Sequence, residues 1–270
     1  MKTRTTYVVG GVRIPFMKSM TAYRDVTTPE LMTASLKSLV ERYNLKGKVV
    51  GDVALGALMQ SSANWNFARE VVQASGLHPN TPAYNVQRAC GTSLETTIQI
   101  AHKISSYQIE SGIAGGVDSN SDLPIMVTRS FSQKLVALNS ARTLGEKLRI
   151  FLSFRPSDLK PVPPAVVEPR TGKSMGEHCE LMVKEWKISR QEQDELALAS
   201  HLNAAKAYKD GFYADLVFPF LGKSTDGIMR GDTTLEKLAK LKPAFDRSEK
   251  GTLTAGNSSS LTDGSSTVLL

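Results

Sequence analysis

A chain of 270 residues, 41% hydrophobic and 22% charged, is long enough for one large domain or two modest ones and has an ordinary globular composition. The net charge of +7 suits an anionic ligand. The basic residues are dispersed, however, and neither a zinc-ligand spacing nor a phosphate-cradling loop occurs, so no nucleic-acid partner and no metal are expected. The two cysteines, Cys90 and Cys179, exclude a disulfide scaffold and fit a reducing compartment. No apolar run reaches the roughly 18 residues of a membrane span, and the N-terminus lacks a secretory apolar core. A cytoplasmic protein without membrane contact is expected.

Strand and helix signals alternate over the first 120 residues. Residues 6–10 read as a strand. Thr27-Thr28-Pro29-Glu30 opens a helix, with a threonine cap, proline in the first turn and an acid at the positive end of the dipole. Leu31, Met32, Ser35, Leu36, Leu39, Val40 and Tyr43 keep its 3.6-residue stripe. Residues 52–58 read as a strand and 66–75 as a helix with Phe67, Val71 and Val72 inward, stopped by Gly76. Residues 83–87 form a third strand. Residues 91–107 form a helix with Leu94, Ile98, Ala101 and Ile104 on one face, and 109–117 form a further strand. This alternation predicts right-handed βαβ crossovers.

The pattern then changes. Residues 132–154 read as one amphipathic basic stretch, followed by a proline-rich extended run. Residues 175–186 read as a helix, and Ser189 with Glu192 makes a capping box for a helix reaching Gly211. Residues 252–254 and 267–270 read as strands that return to the core. The expected organisation is therefore a core of 1–120 with 251–270 and an insertion over 121–250.

Cys90 is the candidate nucleophile. It stands between a strand and a helix, where unpaired N–H groups and the helix dipole favour a thiolate. Gly91 leaves the sulfur open to close approach. Buried free cysteine is a common alternative. None of the histidines is a convincing base from the sequence. His102 lies twelve residues along the same helix, about 18 Å away; His78 reads as a loop residue, His178 is beside Cys179, and His201 is on a solvated helix.

Several segments together resemble the thiolase family. Gln87-Arg88-Ala89-Cys90-Gly91-Thr92-Ser93 resembles its nucleophile segment, Gly11-Val12-Arg13-Ile14-Pro15-Phe16 the segment after its first strand, and Ala114-Gly115-Gly116-Val117-Asp118-Ser119 its glycine turn. Ser174-Met175-Gly176-Glu177, Leu241-Lys242-Pro243-Ala244-Phe245 and Thr254-Ala255-Gly256-Asn257-Ser258-Ser259 resemble its loop-domain and coenzyme A segments. The resemblance runs in order from the first strand to Leu270 and is nearest to the fatty-acid β-oxidation thiolases. It implies an α/β fold: a βαβαβαββ core sheet with helices, a long mainly helical loop-domain insertion, and no C-terminal thiolase domain within these residues.

The resemblance also implies a transferase chemistry. Cys90 would take the acyl group of a 3-ketoacyl-CoA. Ser259 would bind the pantetheine arm, Arg230 would lie near the adenine, and Met175 would line the acyl and pantetheine path. No cofactor is implied beyond coenzyme A thioesters as substrate. Where many relatives place a histidine before Met-Gly, this chain has Ser174. The family's Gly-His-Pro histidine, water-holding asparagine and second cysteine have no counterpart here, so the isolated chain is expected to be inactive or impaired. Expected partners are a homo-oligomeric copy and a C-terminal half or a hydratase/dehydrogenase α-chain. A split thiolase and a non-catalytic acyl-CoA-binding or assembly subunit are the alternatives.

Overall fold

The computed structural model describes residues 3–270. It divides into two compact units: the chain up to Asp122 together with Lys173–Leu270, and Leu123–Gly172. The insertion expected over 121–250 is thus divided, with 123–172 standing as its own unit and 173–250 grouping with the sheet.

The strands are β1 (Gly10–Arg13), β2 (Met17–Lys18), β3 (Val53–Gly56), β4 (Ala83–Val86), β5 (Ile113–Asp118) and β6 (Thr262–Leu269). The helices are α1 (Thr28–Arg42), α2 (Phe67–Ser75), α3 (Thr92–Ser105), α4 (Arg129–Ser140), α5 (Leu144–Leu152), α6 (Met175–Glu185), α7 (Arg190–Lys209) and α8 (Leu235–Ala239). The sheet order is β1-β6-β5-β3-β4, with β2 also paired to β6. β3 is parallel to β4 and β5, whereas β6 is antiparallel to β5 and β1. Parallel neighbours need crossovers, and α2 and α3 supply them.

Successive residues of β3 point to opposite faces. Val53 and Leu55 join the core formed with α1 and α2, while Ala54 joins Ile100 and Ile104 of α3. The first core holds the stripe expected on α1: Leu31, Met32, Ser35, Leu36, Leu39 and Val40 are buried. Thr27 and Glu30 close a capping box at its start, and Gly76 ends α2 at a φ of 92°.

Four local expectations are corrected. The first strand is displaced: β1 begins at Gly10, and Tyr7, Val8 and Val9 are exposed. The fourth strand begins at Ile113, four residues later than expected. Residues 252–254 contribute a single bridge, between Thr254 and Pro243. The last strand begins at Thr262 instead of 267, because its inward polar side chains are satisfied. Ser265 donates to the Leu31 carbonyl at 2.6 Å and Thr267 to that of Ser35 at 3.3 Å. The fully buried Asp263 accepts from the hydroxyls of Ser119 and Ser121 and from the Asn120 N–H.

In the unit Leu123–Gly172, the expected single stretch over 132–154 is two helices. Thr143 and Glu146 form a capping box that starts α5 afresh. Phe154 packs edge-on against Phe131 and Phe151, with ring centres 5.4 and 6.0 Å apart. Asp158 lies in a short 3-10 turn, Pro156–Leu159, and pairs with Lys134 of α4 at 2.6 Å. The Lys134 ammonium and the Arg155 N–H hold its carboxyl down at about 2.

Candidate functional site

Strand β4 delivers the chain to Cys90, which is exposed. The helix begins later than the sequence implied: Gly91 is the N-cap of α3, so Cys90 sits one residue outside it. The turn closes on itself. The Arg88 N–H donates to Thr92 Oγ1 at 2.8 Å, Thr92 Oγ1 donates to the Ala89 carbonyl at 2.7 Å, and the Gly91 N–H donates to the Arg88 carbonyl at 3.0 Å. Ala89 takes a φ of 46°. A left-handed alanine costs about 1–2 kcal/mol, and such strain concentrates at functional sites.

Two glycines let this turn approach the sheet. Gly56 of β3 and Gly116 of β5 are register partners. A Cβ on Gly56 would overlap the Thr92 methyl and the Val86 carbonyl; one on Gly116 would overlap Ser93 Oγ. Thr92 and Ser93 are the first two residues of α3, so the glycine pair sets the height of the turn that carries Cys90. A small cavity of about 170 Å³ adjoins this turn, between Phe16, Ser93, Gly116, Thr262 and Gly264.

A larger cavity, about 350 Å³, lies between α7 and the segments around 228 and 257. Arg230 and Ser259 both line it; Cys90 and Met175 do not. Arg230 and Ser259 are exposed. Asn257 anchors its turn by donating to Asp194 of α7 at 2.9 Å and accepting the Thr254 N–H at 2.7 Å. His201, read from the sequence as a solvated helix residue, lines this cavity, and its Nδ1 accepts the Arg230 N–H at 3.3 Å. No spacing rule links residues 29 apart, so only the fold brings the two together. Asn257 was legible only as part of its family-like motif.

Met175 is the first residue of α6 and is 74% exposed. Ser174 caps α6: its hydroxyl accepts the Glu177 N–H and donates to the Glu177 carboxylate at 2.7 Å. Cys179, further along α6, is a free thiol of intermediate exposure. Its neighbour Glu180 is buried and accepts the N–H groups of Thr252 and Leu253 and the Thr252 hydroxyl. Among the described residues no cluster of three or more His, Cys, Asp or Glu could hold a metal, and no helix is long and apolar enough to cross a membrane.

The family model for the thiolase N-terminal domain matches residues 6–270. A 3-ketoacyl-CoA thiolase of Citrobacter koseri is 42% identical over 272 residues, covering 97% of this chain and 62% of that protein. The solved Bacillus anthracis acetyl-CoA acetyltransferase superposes with a TM-score of 0.82 at 29% identity, over 100% of this chain and 66% of that one. Human mitochondrial 3-ketoacyl-CoA thiolase, solved in complex with CoA, gives 0.79 at 26%, over 97% and 63%. The chain therefore spans about three fifths of the length of the curated relatives it matches.

Proposed function

This chain belongs to the thiolase family through its N-terminal domain, and on that premise we propose that it carries the nucleophile and part of the coenzyme A site of a 3-ketoacyl-CoA thiolase. The Cys90 thiolate attacks the keto carbon of a 3-ketoacyl-CoA. The Cys90 N–H helps to hold the resulting oxyanion. Collapse breaks the bond between the second and third carbons; the electron pair leaves on the second carbon, which takes a proton and departs as acetyl-CoA. The acyl group stays on sulfur until the thiol of a second coenzyme A takes it and the Cys90 thiolate is regenerated. A thiolate suits both steps, being a good nucleophile and a good leaving group. The reverse condensation uses the same intermediate.

The observation that carries this reading is an exposed cysteine in a strained, self-bonded turn at the carboxyl end of a parallel strand, the place where α/β sheets bind ligands. The shared cavity of Arg230 and Ser259 supports the coenzyme A contacts: the guanidinium matches phosphate and the hydroxyl matches an amide of the pantetheine arm. Met175 is assigned to the acyl and pantetheine path on its family position alone. The activating histidine, the asparagine and the second cysteine are assigned to the two fifths of the relatives' length that this chain does not span. The face that receives them is assigned to the outer side of α3, where Leu94 and Ile98 are exposed. The segment bearing exposed Tyr7, Val8 and Val9 runs alongside, with Thr6 donating to the Ala101 carbonyl at 3.0 Å.

Mass spectrometry after incubation with acetyl-CoA tests the assignment. The expected result is a single acetyl adduct on Cys90 that is absent from Cys90→Ala. An adduct that persists in Cys90→Ala would overturn it. No adduct at all, with the fold intact, would mean that acylation requires the histidine assigned to the part of the relatives' length that this chain does not span.

A further inference from the structure

Thr92 is a polar residue in a buried position. It is the first residue of α3 and is 4% exposed, and its N-cap neighbour Gly91 supplies no side-chain cap. Its methyl lies over Gly56 of β3, where any Cβ would overlap it, so the side chain is seated on the sheet. Its hydroxyl reaches back across the turn and works in both directions, accepting the Arg88 N–H at 2.8 Å and donating to the Ala89 carbonyl at 2.7 Å. The Thr92 N–H donates to the same carbonyl at 3.2 Å. The Ala89 carbonyl is thus held twice, both times by Thr92.

That carbonyl matters because of what lies across the peptide bond from it. The Ala89 carbonyl and the Cys90 N–H belong to one planar unit and point in opposite directions. Fixing the first therefore aims the second. The Cys90 N–H itself takes part in none of the bonds that close the turn. The other fasteners do not reach this plane. The Gly91 N–H holds the Arg88 carbonyl. The Arg88 guanidinium pairs with Glu95 at 2.5 Å, from a side chain that is 71% exposed, where ion pairs contribute little. Ala89, at a φ of 46°, would relax out of the left-handed region once its carbonyl was released, and the plane would turn with it.

We propose that Thr92 is a positioning residue for acyl transfer, aiming the Cys90 N–H at the place where negative charge develops. This rests on the reading of Cys90 as the nucleophile. When the sulfur attacks an acyl carbon, the carbonyl oxygen becomes an oxyanion, and a donor in a fixed direction stabilises it without reorganising. When the sulfur instead attacks iodoacetamide, a carbon–sulfur bond forms, iodide leaves and no oxyanion appears. Loss of the Thr92 hydroxyl therefore slows the first reaction and spares the second. A purely structural role would slow or spare both alike.

The test compares the two reactions at Cys90 on the whole chain by peptide mass spectrometry, with Cys179 as the internal reference. The acyl donor is p-nitrophenyl acetate, whose nitrophenolate leaves without a proton from a general acid while the acetyl group stays on sulfur. Thr92→Val keeps the shape and the methyl but removes the hydroxyl, and the ratio of acylation to alkylation at Cys90 should fall about tenfold. Thr92→Ser keeps the hydroxyl and should bring the ratio back near the parent value. Ile100→Ala removes a fully buried α3 side chain away from the turn, and Glu95→Gln breaks the exposed pair; both should leave the ratio unchanged. An equal fall in both reactions, a serine variant no better than the valine one, or a fall of the same size in Glu95→Gln overturns the proposal. A parent Cys90 acylated no faster than Cys179 would remove the nucleophile reading, and the positioning role with it. A parent that is acylated faster, beside a valine variant that keeps its ratio, would remove the positioning role alone.

Discussion

Arg13 ties β1 to a segment more than 200 positions away in sequence. Its guanidinium meets both oxygens of Asp226, at 2.6 and 2.8 Å, and the Phe16 N–H reaches the same carboxylate at 2.7 Å. Phe16 and Tyr213 flank the guanidinium. Burial alone pushes the Asp226 carboxyl up, but Arg13 and the Phe16 N–H outweigh it and leave it below the usual range. A depressed carboxyl stabilises the fold at pH above its unfolded value, near 4, and loses that contribution as the pH falls through its folded value. Asp226 also lines the cavity of Arg230 and Ser259, so the pair holds one wall of the site. Asp226→Asn and Arg13→Met should each cost about 1–3 kcal/mol, between the values for exposed and buried pairs. Urea unfolding of both variants and of the double variant measures it; additive effects would show that the two side chains act independently.

At the scale of the element, α3 shows how a periodic pattern can mark a face without saying what covers it. Leu94, Ile98, Ala101 and Ile104 form the expected stripe, yet Leu94 and Ile98 are exposed, and the buried positions are Thr92, Thr96, Ile100 and Ile104. Threonine is tolerated against the sheet because its hydroxyl bonds carbonyls: Thr96 donates to Ser93 at 2.8 Å and lies 3.2 Å from the Gly115 oxygen. Small inward residues and the glycine shelf of Gly56 and Gly116 allow the close approach that sets the Cys90 turn. Ile100→Ala should therefore destabilise by about 2–5 kcal/mol, and Leu94→Ala by no more than about 0.5 kcal/mol. Chemical unfolding of the two variants separates the faces; equal losses would mean that the outer stripe is packed.

At the scale of the whole molecule, the two units rest on different forces. The sheet-bearing unit has two apolar cores. The unit Leu123–Gly172 has an ion pair between Lys134 and the buried Asp158, and none of its apolar side chains is fully buried. The Asp158 carboxyl, held at about 2, is ionised in the folded state where an unfolded chain would already take a proton. Its contribution is complete above pH 4 or so and fades as the pH falls towards 2. Proteolysis within 123–172 should accelerate on acidification before the sheet unfolds. Asp158→Asn should raise cleavage there at neutral pH, and the gap between variant and parent should close in acid. A gap that is constant with pH would remove the ion pair from the account.

What depends on near neighbours could be read from the sequence: the capped starts of α1 and α7, the glycine stop of α2, the parallel part of the sheet, and the family-like segment around Cys90. These are set by contacts within a few residues, which pattern and capping chemistry report directly. Only the tertiary structure decided which side of α3 is buried, why β6 can be polar and still internal, and that His201 joins Arg230 and Ser259 around one cavity. Each of those depends on a partner far along the chain. Ser265 finds the Leu31 carbonyl across 234 positions, and a hydroxyl that reads as a loop residue in isolation becomes a core residue once that acceptor is supplied.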